Sequence, residues 1–309
     1  MVATDYQDIA VEVSGQIGIV KFNRPDFLNA FGGRLLPETI NAFRELNEDP
    51  DTVFTVLTGE GRFFSAGWDM RNDNSFPFGP FKTDADAKIA HSNHLFPCLE
   101  LVRTIIDHSK IFVLAFNGPA VGGGAAWFLG LADTILAADS CHLQAPFSSL
   151  ALVPENGSIR TLSHSLGIHR ANDILIYGKR VTAQQLHTWG TVSELFPTTG
   201  FLSHVKLFLE KQLDDNDAKS MMVAKKLQAT ALRNERLLAA YDAMDALNER
   251  LVEGAPPARF IKKIQELQGI EERETVEALK EDSSLDWARV DEPRSSVTEL
   301  QCLTKKWRR

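Results

Sequence analysis

Cysteine is scarce. Cys98, Cys141 and Cys302 are the three in 309 residues, far apart and odd in number. That excludes a disulfide framework and a cysteine-based zinc site, and makes a reducing compartment the default. Long apolar runs are missing too. The longest, residues 111–138, is broken by Asn117, Pro119, a glycine run and Asp133, so a membrane span is not expected. Positive charge is in deficit, with 33 Lys+Arg against 41 Asp+Glu and a formal charge of -8. A general nucleic-acid binder needs a basic footprint, so that class is set aside. Residues 1–8 are acidic and lack the apolar core of a signal peptide and the arginines of a transit peptide. The ending Trp307-Arg308-Arg309 is not a Ser-Lys-Leu type address. Cytoplasmic is the neutral expectation, with a peroxisomal site left open. The eight histidines form no metal-like cluster.

What is there alternates. Residues 9–13 and 17–22 are β-prone runs around the turn Ser14-Gly15-Gln16. Asn23-Arg24-Pro25 ends the second, because proline cannot extend a ladder. Residues 35–47 place Leu36, Ile40, Phe43 and Leu46 at helical spacing. Residues 53–57, 111–116 and 134–138 are short continuous apolar runs, the pattern of strands buried on both faces. Between them, 85–108 is amphipathic, and 125–132 reads as a buried helix behind Gly122-Gly123-Gly124. Alternating elements predict an α/β architecture. Beyond residue 200 strand-like runs vanish, and 202–251 predicts two or three amphipathic helices. A short helix is expected at 258–267 after Pro256-Pro257, a further one at 271–281, and a loose tail from 283.

Three segments stand out: Arg62-Phe63-Phe64-Ser65-Ala66-Gly67-Trp68-Asp69, Asn117-Gly118-Pro119-Ala120-Val121-Gly122-Gly123-Gly124-Ala125-Ala126, and Ala151-Leu152-Val153-Pro154-Glu155-Asn156-Gly157-Ser158. Alone, the triple glycine is either a tight turn with close helix packing or an oxyanion site, where helix-start N–H groups face a ligand. It fits neither the dinucleotide fingerprint nor the P-loop. Pro154-Glu155-Asn156-Gly157 is either a surface turn or, given the apolar residues before it, a carboxylate carried into a low-dielectric site.

In this order and spacing the segments resemble the crotonase (enoyl-CoA hydratase/isomerase) superfamily over residues 8–268. Asn23-Arg24-Pro25, Asn29-Ala30-Phe31 and the stretch Leu175-Ile176-Tyr177-Gly178-Lys179-Arg180-Val181-Thr182-Ala183 belong to the same set. The resemblance implies a ββα spiral core over 1–200, a helical trimerisation region over 201–268, and an extension over 269–309. It implies acyl-CoA thioester substrates, no cofactor beyond the CoA they carry, and a homotrimer or dimer of trimers. The N–H groups of Ala66 and Gly123 would form an oxyanion hole for an enolate. Substrate contacts are expected at Arg24 (the CoA phosphates), Ala30, Ser65, Gly67, Trp68, Asp69, Gly122, Gly124, Ala126 and Phe147. Lys262 and Lys263 are further phosphate candidates, and Phe64, Trp68, Phe76, Phe78, Phe81 and Phe96 are candidates to line the acyl slot. Asp69 is read chiefly as a loop-fixing residue.

Departures from the family pattern narrow the reaction. The two glutamates of the family's hydratases are absent, their places taken by Ala126 and Phe147. Hydration needs groups that activate water, so this departure disfavours it, and the family's dienoyl-CoA isomerases lose support in the same way. The context of Glu155 is similar to that of peroxisomal-type Δ3,Δ2-enoyl-CoA isomerases, in which one glutamate moves a proton from C2 to C4. The alternatives are a specialised hydratase, a thioesterase or other acyl-CoA enzyme, and a non-catalytic binding protein on the same fold.

Overall fold

The computed structural model describes residues 5–69, 77, 79–254, 256 and 259. The chain opens with a hairpin, β1 (Ile9–Ser14) and β2 (Ile17–Phe22), turned at Gly15. Helix α1 (Leu35–Glu48) leads to β3 (Phe54–Gly59), and α2 (Asp84–Ile106) to β4 (Ile111–Phe116). The short β5 (Ala120–Val121) runs into α3 (Gly123–Leu129), followed by β6 (Thr134–Ala138) and β7 (His142–Gln144). Then come α4 (Ser158–Leu166), α5 (Ile168–Leu175), β8 (Val181–Thr182), α6 (Ala183–Thr188) and β9 (Glu194–Phe196). Two helices, α7 (Phe201–Asp215) and α8 (Ala218–Val252), complete the described chain.

Six strands form one sheet in the order β1-β2-β3-β4-β6-β9, parallel except for the β1–β2 hairpin. A small second sheet, β5-β7-β8, stands beside it. Alternation along each strand divides the core. Phe112, Leu114 and Phe116 of β4 face the larger apolar cluster, with α1, α2 and α3. Ile111, Val113 and Ala115 face the other side, where α7 contributes Phe201, Val205 and Leu209. Burial on both faces is why these strands read as continuous apolar runs.

Helix α2 begins with a capping box: the Thr83 hydroxyl accepts from Asp86 N–H and the Asp86 carboxylate accepts from Thr83 N–H. The expected helices over 202–251 are α7 and α8. Among the described residues no helix is long and apolar enough to cross a membrane. Residues Met1–Ile261 form one unit and Lys262–Arg309 a second. The expected helices at 258–267 and 271–281, Lys262, Lys263, Phe76, Phe78 and the tail lie outside the described residues.

Candidate active site

Parallel strands β2, β3 and β4 end at the same edge of the sheet, and the loops that leave them (23–34, 60–69, 117–122) meet there. This is where ligands lie in parallel α/β sheets. Two asparagines tie the loops. Asn29, at φ 54, accepts from Arg24 N–H and donates to Glu60 O and Phe63 O. Asn117 accepts from Gly59 N–H and donates to Gly61 O. The Ser65 hydroxyl donates to Asn29 O and accepts from Gly67 N–H. Ser65 is therefore part of the frame that holds the loops. So are Gly124, where a Cβ would sit 2.7 Å from the Ser65 Cβ, and Ala30, whose carbonyl accepts from Arg24.

Two expectations need correction. Arg24 was the first candidate for the CoA phosphates, but its guanidinium is spent inside the protein. It donates to Ala30 O at 2.7 Å, pairs with Asp69 at 3.4 Å and Asp8 at 3.6 Å, and lies over the Phe27 ring. The Asp69 carboxylate joins the loop of residues 60–69 to that of residues 23–34 through Arg24. The second correction concerns Ala66. Its N–H donates to Leu28 O at 2.9 Å, so it does not face a substrate oxygen. Two residues on, Trp68 forms a parallel bridge with Phe31. Gly67 O and Asp69 N–H face Phe31 in that bridge, so the Trp68 N–H between them faces the opposite way. Gly67 packs on the glycine loop: at φ 80, a Cβ there would meet Val121 O at 2.7 Å.

Gly122 caps α3 at φ 57, ψ -128, a conformation open to glycine, and its own N–H donates to Gln144 O. Its carbonyl accepts from Ala125 and Ala126. Gly123 begins the helix, so its N–H has no intrahelical acceptor. Ala126 and Phe147, which occupy the hydratase glutamate positions, are apolar and buried in the main core.

Glu155 lies across the cleft from α3. Asn156 (φ 51) and Gly157 (φ 72) both take the left-handed conformation and turn the chain into α4. Gly157 seats this turn against α8, where a Cβ would sit 2.9 Å from Ala240 N. The Glu155 Oε2 accepts from Trp127 Nε1 at 3.0 Å. Burial pushes the Glu155 carboxyl up to about 7 from an ordinary 4.5, although the indole hydrogen bond acts to lower it. Trp68, Leu95, Cys98, Trp127, Glu155, Asn156, Met244 and Leu247 line a narrow, mostly apolar cavity of about 20 Å³. Burial, and then the nearby Glu155 charge, hold the Cys98 thiol well above its usual range. The arrangement joins one desolvated carboxyl, a helix-start N–H and an apolar slot, a set suited to moving a proton on an activated carbonyl compound.

Sequence reasoning missed Trp127, Cys98, Leu95, Met244 and Leu247. Trp127 left one trace, its position four residues after Gly123 and hence on the same helix face. Of the expected acyl-slot aromatics Trp68 lines the cavity, whereas Phe64 is fully buried in the core and Phe96 is exposed.

Comparison with known proteins agrees with this geometry. Residues 12–253 match the enoyl-CoA hydratase/isomerase family, and the chain belongs to it. It is 34% identical over 227 residues to Enoyl-CoA delta isomerase 2 of Rattus norvegicus, covering 73% of this chain and 55% of that protein. It is also 34% identical over 196 residues to the Delta(3,5)-Delta(2,4)-dienoyl-CoA isomerase of Pyricularia oryzae, covering 60% of this chain and 68% of that one. An enoyl-CoA hydratase/isomerase crystal structure from Pseudoalteromonas atlantica T6c superposes with a TM-score of 0.72 at 22% identity, over 84% of this chain and 98% of that one. The fold is the crotonase fold. The chain spans about half the length of the rat relative it matches.

Proposed function

We propose that the chain is a Δ3,Δ2-enoyl-CoA isomerase. The observation that carries the reading is Glu155: a single desolvated carboxyl in an apolar cavity, with apolar residues at both positions where a hydratase would need acids. The likeness to Enoyl-CoA delta isomerase 2 supports the same reaction.

The thioester oxygen of a 3-enoyl-CoA accepts from the Gly123 N–H and from the Trp68 N–H, which takes the place first given to Ala66. Such a donor contributes on the order of 10²–10³ in rate. Glu155 removes a proton from C2, and the electron pair delocalises into a dienolate whose oxygen is held by the two donors. The same carboxyl returns the proton at C4, on the same face of the planar intermediate, giving the 2-enoyl-CoA. No cofactor enters beyond the CoA of the substrate. A homotrimer or dimer of trimers is the assembly in which we expect the chain to work.

The test is conversion of 3-hexenoyl-CoA, followed by the absorbance of the conjugated 2-enoyl product, with the Glu155→Gln variant alongside. Conversion that is lost in the variant supports the reading. Conversion unchanged in the variant refutes Glu155 as the base. Hydration products without isomerisation would favour the specialised hydratase.

A further inference from the structure

The indole of Trp127 touches both halves of the proposed chemistry. Its Nε1 donates to Glu155 Oε2 at 3.0 Å. Its ring packs over Gly123, where a Cβ would lie 2.6 Å from Trp127 Cε2, and it stacks on Phe31 with centroids 4.7 Å apart. The residue is 3% exposed, so the ring has little room to turn. Trp127 and Gly123 stand on the same helix, four residues and about 6 Å of axial rise apart. One helical turn therefore carries the N–H that would hold the substrate oxygen and the anchor of the carboxyl that would move the proton.

We infer that Trp127 is a positioning residue that holds Glu155 Oε2 throughout turnover and leaves Oε1 as the one atom that carries the proton. The inference rests on the isomerase reading. An indole N–H donates only and does not titrate, so it exchanges no proton with the carboxyl. It remains bonded to Oε2 whether Oε1 is bare or protonated. The steps balance on a single oxygen. The C2–H bond breaks, its electron pair enters the dienolate and Oε1–H forms. Then Oε1–H breaks and the C3–C4 π pair takes the proton to form C4–H, which moves the double bond to C2–C3 and restores the carbonyl. Among the described residues lining the cavity, one other side chain titrates, the Cys98 thiol on α2. From α8 the lining residues are Met244 and Leu247, neither charged.

Trp127→Phe keeps a ring in place and removes the bond. Loss of a bond that favours the ionised carboxylate moves the rise of kcat/KM with pH upward, by about one to two pH units. A carboxyl released from its anchor also returns less of the C2 label to C4 when 2-deuterated substrate is used. A pH profile and label transfer identical to the wild type would reduce Trp127 to packing. A second measurement needs neither turnover nor the Phe variant. In the wild type the Trp127 indole ¹H–¹⁵N signal should titrate with a midpoint near 7, and the titration should vanish in Glu155→Gln. A flat indole signal in the wild type overturns the inference. Absence of isomerisation alongside a titrating indole overturns the isomerase reading and keeps the Trp127–Glu155 contact.

Discussion

Replacing Glu155 by glutamine separates what the carboxyl does for the reaction from what it does to the fold. The amide has the same shape, and its oxygen accepts from Trp127 Nε1 as the carboxylate does. It takes up no proton at neutral pH, so isomerisation should fall by at least about 10²–10⁴. Stability should move the other way. Burial raises the carboxyl from 4.5 to about 7 in the folded chain. Below pH 4.5 both folded and unfolded chains hold the proton and the site costs nothing extra. Between 4.5 and 7 the unfolded chain releases its proton and the folded chain keeps it, so stability falls as pH rises. Above about 7 the loss is complete. The gap of about two and a half pH units corresponds to about 3 kcal/mol. Glutamine carries no such penalty. Glu155→Gln should therefore be about 2–3 kcal/mol more stable than the wild type at pH 8, an advantage that vanishes near pH 4.5. Thermal denaturation of both proteins at pH 4.5, 6, 7 and 8 would read this as several degrees in Tm at the alkaline end. A variant less stable at pH 8, or a difference that does not change with pH, would refute the claim that the carboxyl is held desolvated.

Other perturbations test the frame around it. Gly123→Ala puts a Cβ 2.6 Å from a ring held by stacking and a hydrogen bond. It should cost about 1–3 kcal/mol in stability and reduce kcat more than it raises KM, as steady-state kinetics with 3-hexenoyl-CoA would show. Asn29→Ala removes the partner of Arg24 N–H, Glu60 O and Phe63 O in the interior. A loss of about 2–4 kcal/mol is expected in urea denaturation. Arg24→Met leaves the buried Asp69 carboxylate without its guanidinium. It should destabilise by about 3 kcal/mol while KM for the acyl-CoA stays essentially unchanged at temperatures where the variant is folded. A sharp rise in KM without loss of stability would restore Arg24 to the phosphate site.

Much of the architecture is local, and local features are legible. Strands β4 and β6 lie where their apolar runs put them, because a strand buried on both faces is apolar nearly throughout. Helices α1 and α2 follow their amphipathic spacing within two residues at either end. The short strands β5, β7, β8 and β9 escaped, since two or three residues carry no period and their pairing is decided by distant partners. Helices α4, α5 and α6 also escaped. Their segments sit between turn signals and are too short for spacing alone to settle.

The amino-acid sequence by itself determined the family, the glycine loop at Gly122-Gly123-Gly124, the loss of acids at Ala126 and Phe147, and the candidacy of Glu155, because each resides in residue identity and near-neighbour spacing. Tertiary structure decided which groups are already occupied and which face the cleft. Ala66 N–H is consumed by Leu28 and Arg24 by Asp69, Asp8 and Ala30, and no motif records either bond. Trp127 reaches Glu155 across 28 positions of sequence, and α8 closes the cavity with Met244 and Leu247 from about 90 residues further on. A carboxyl's proton affinity depends on what surrounds it in space. That environment exists only once the chain has brought α2, α3 and α8 around one turn.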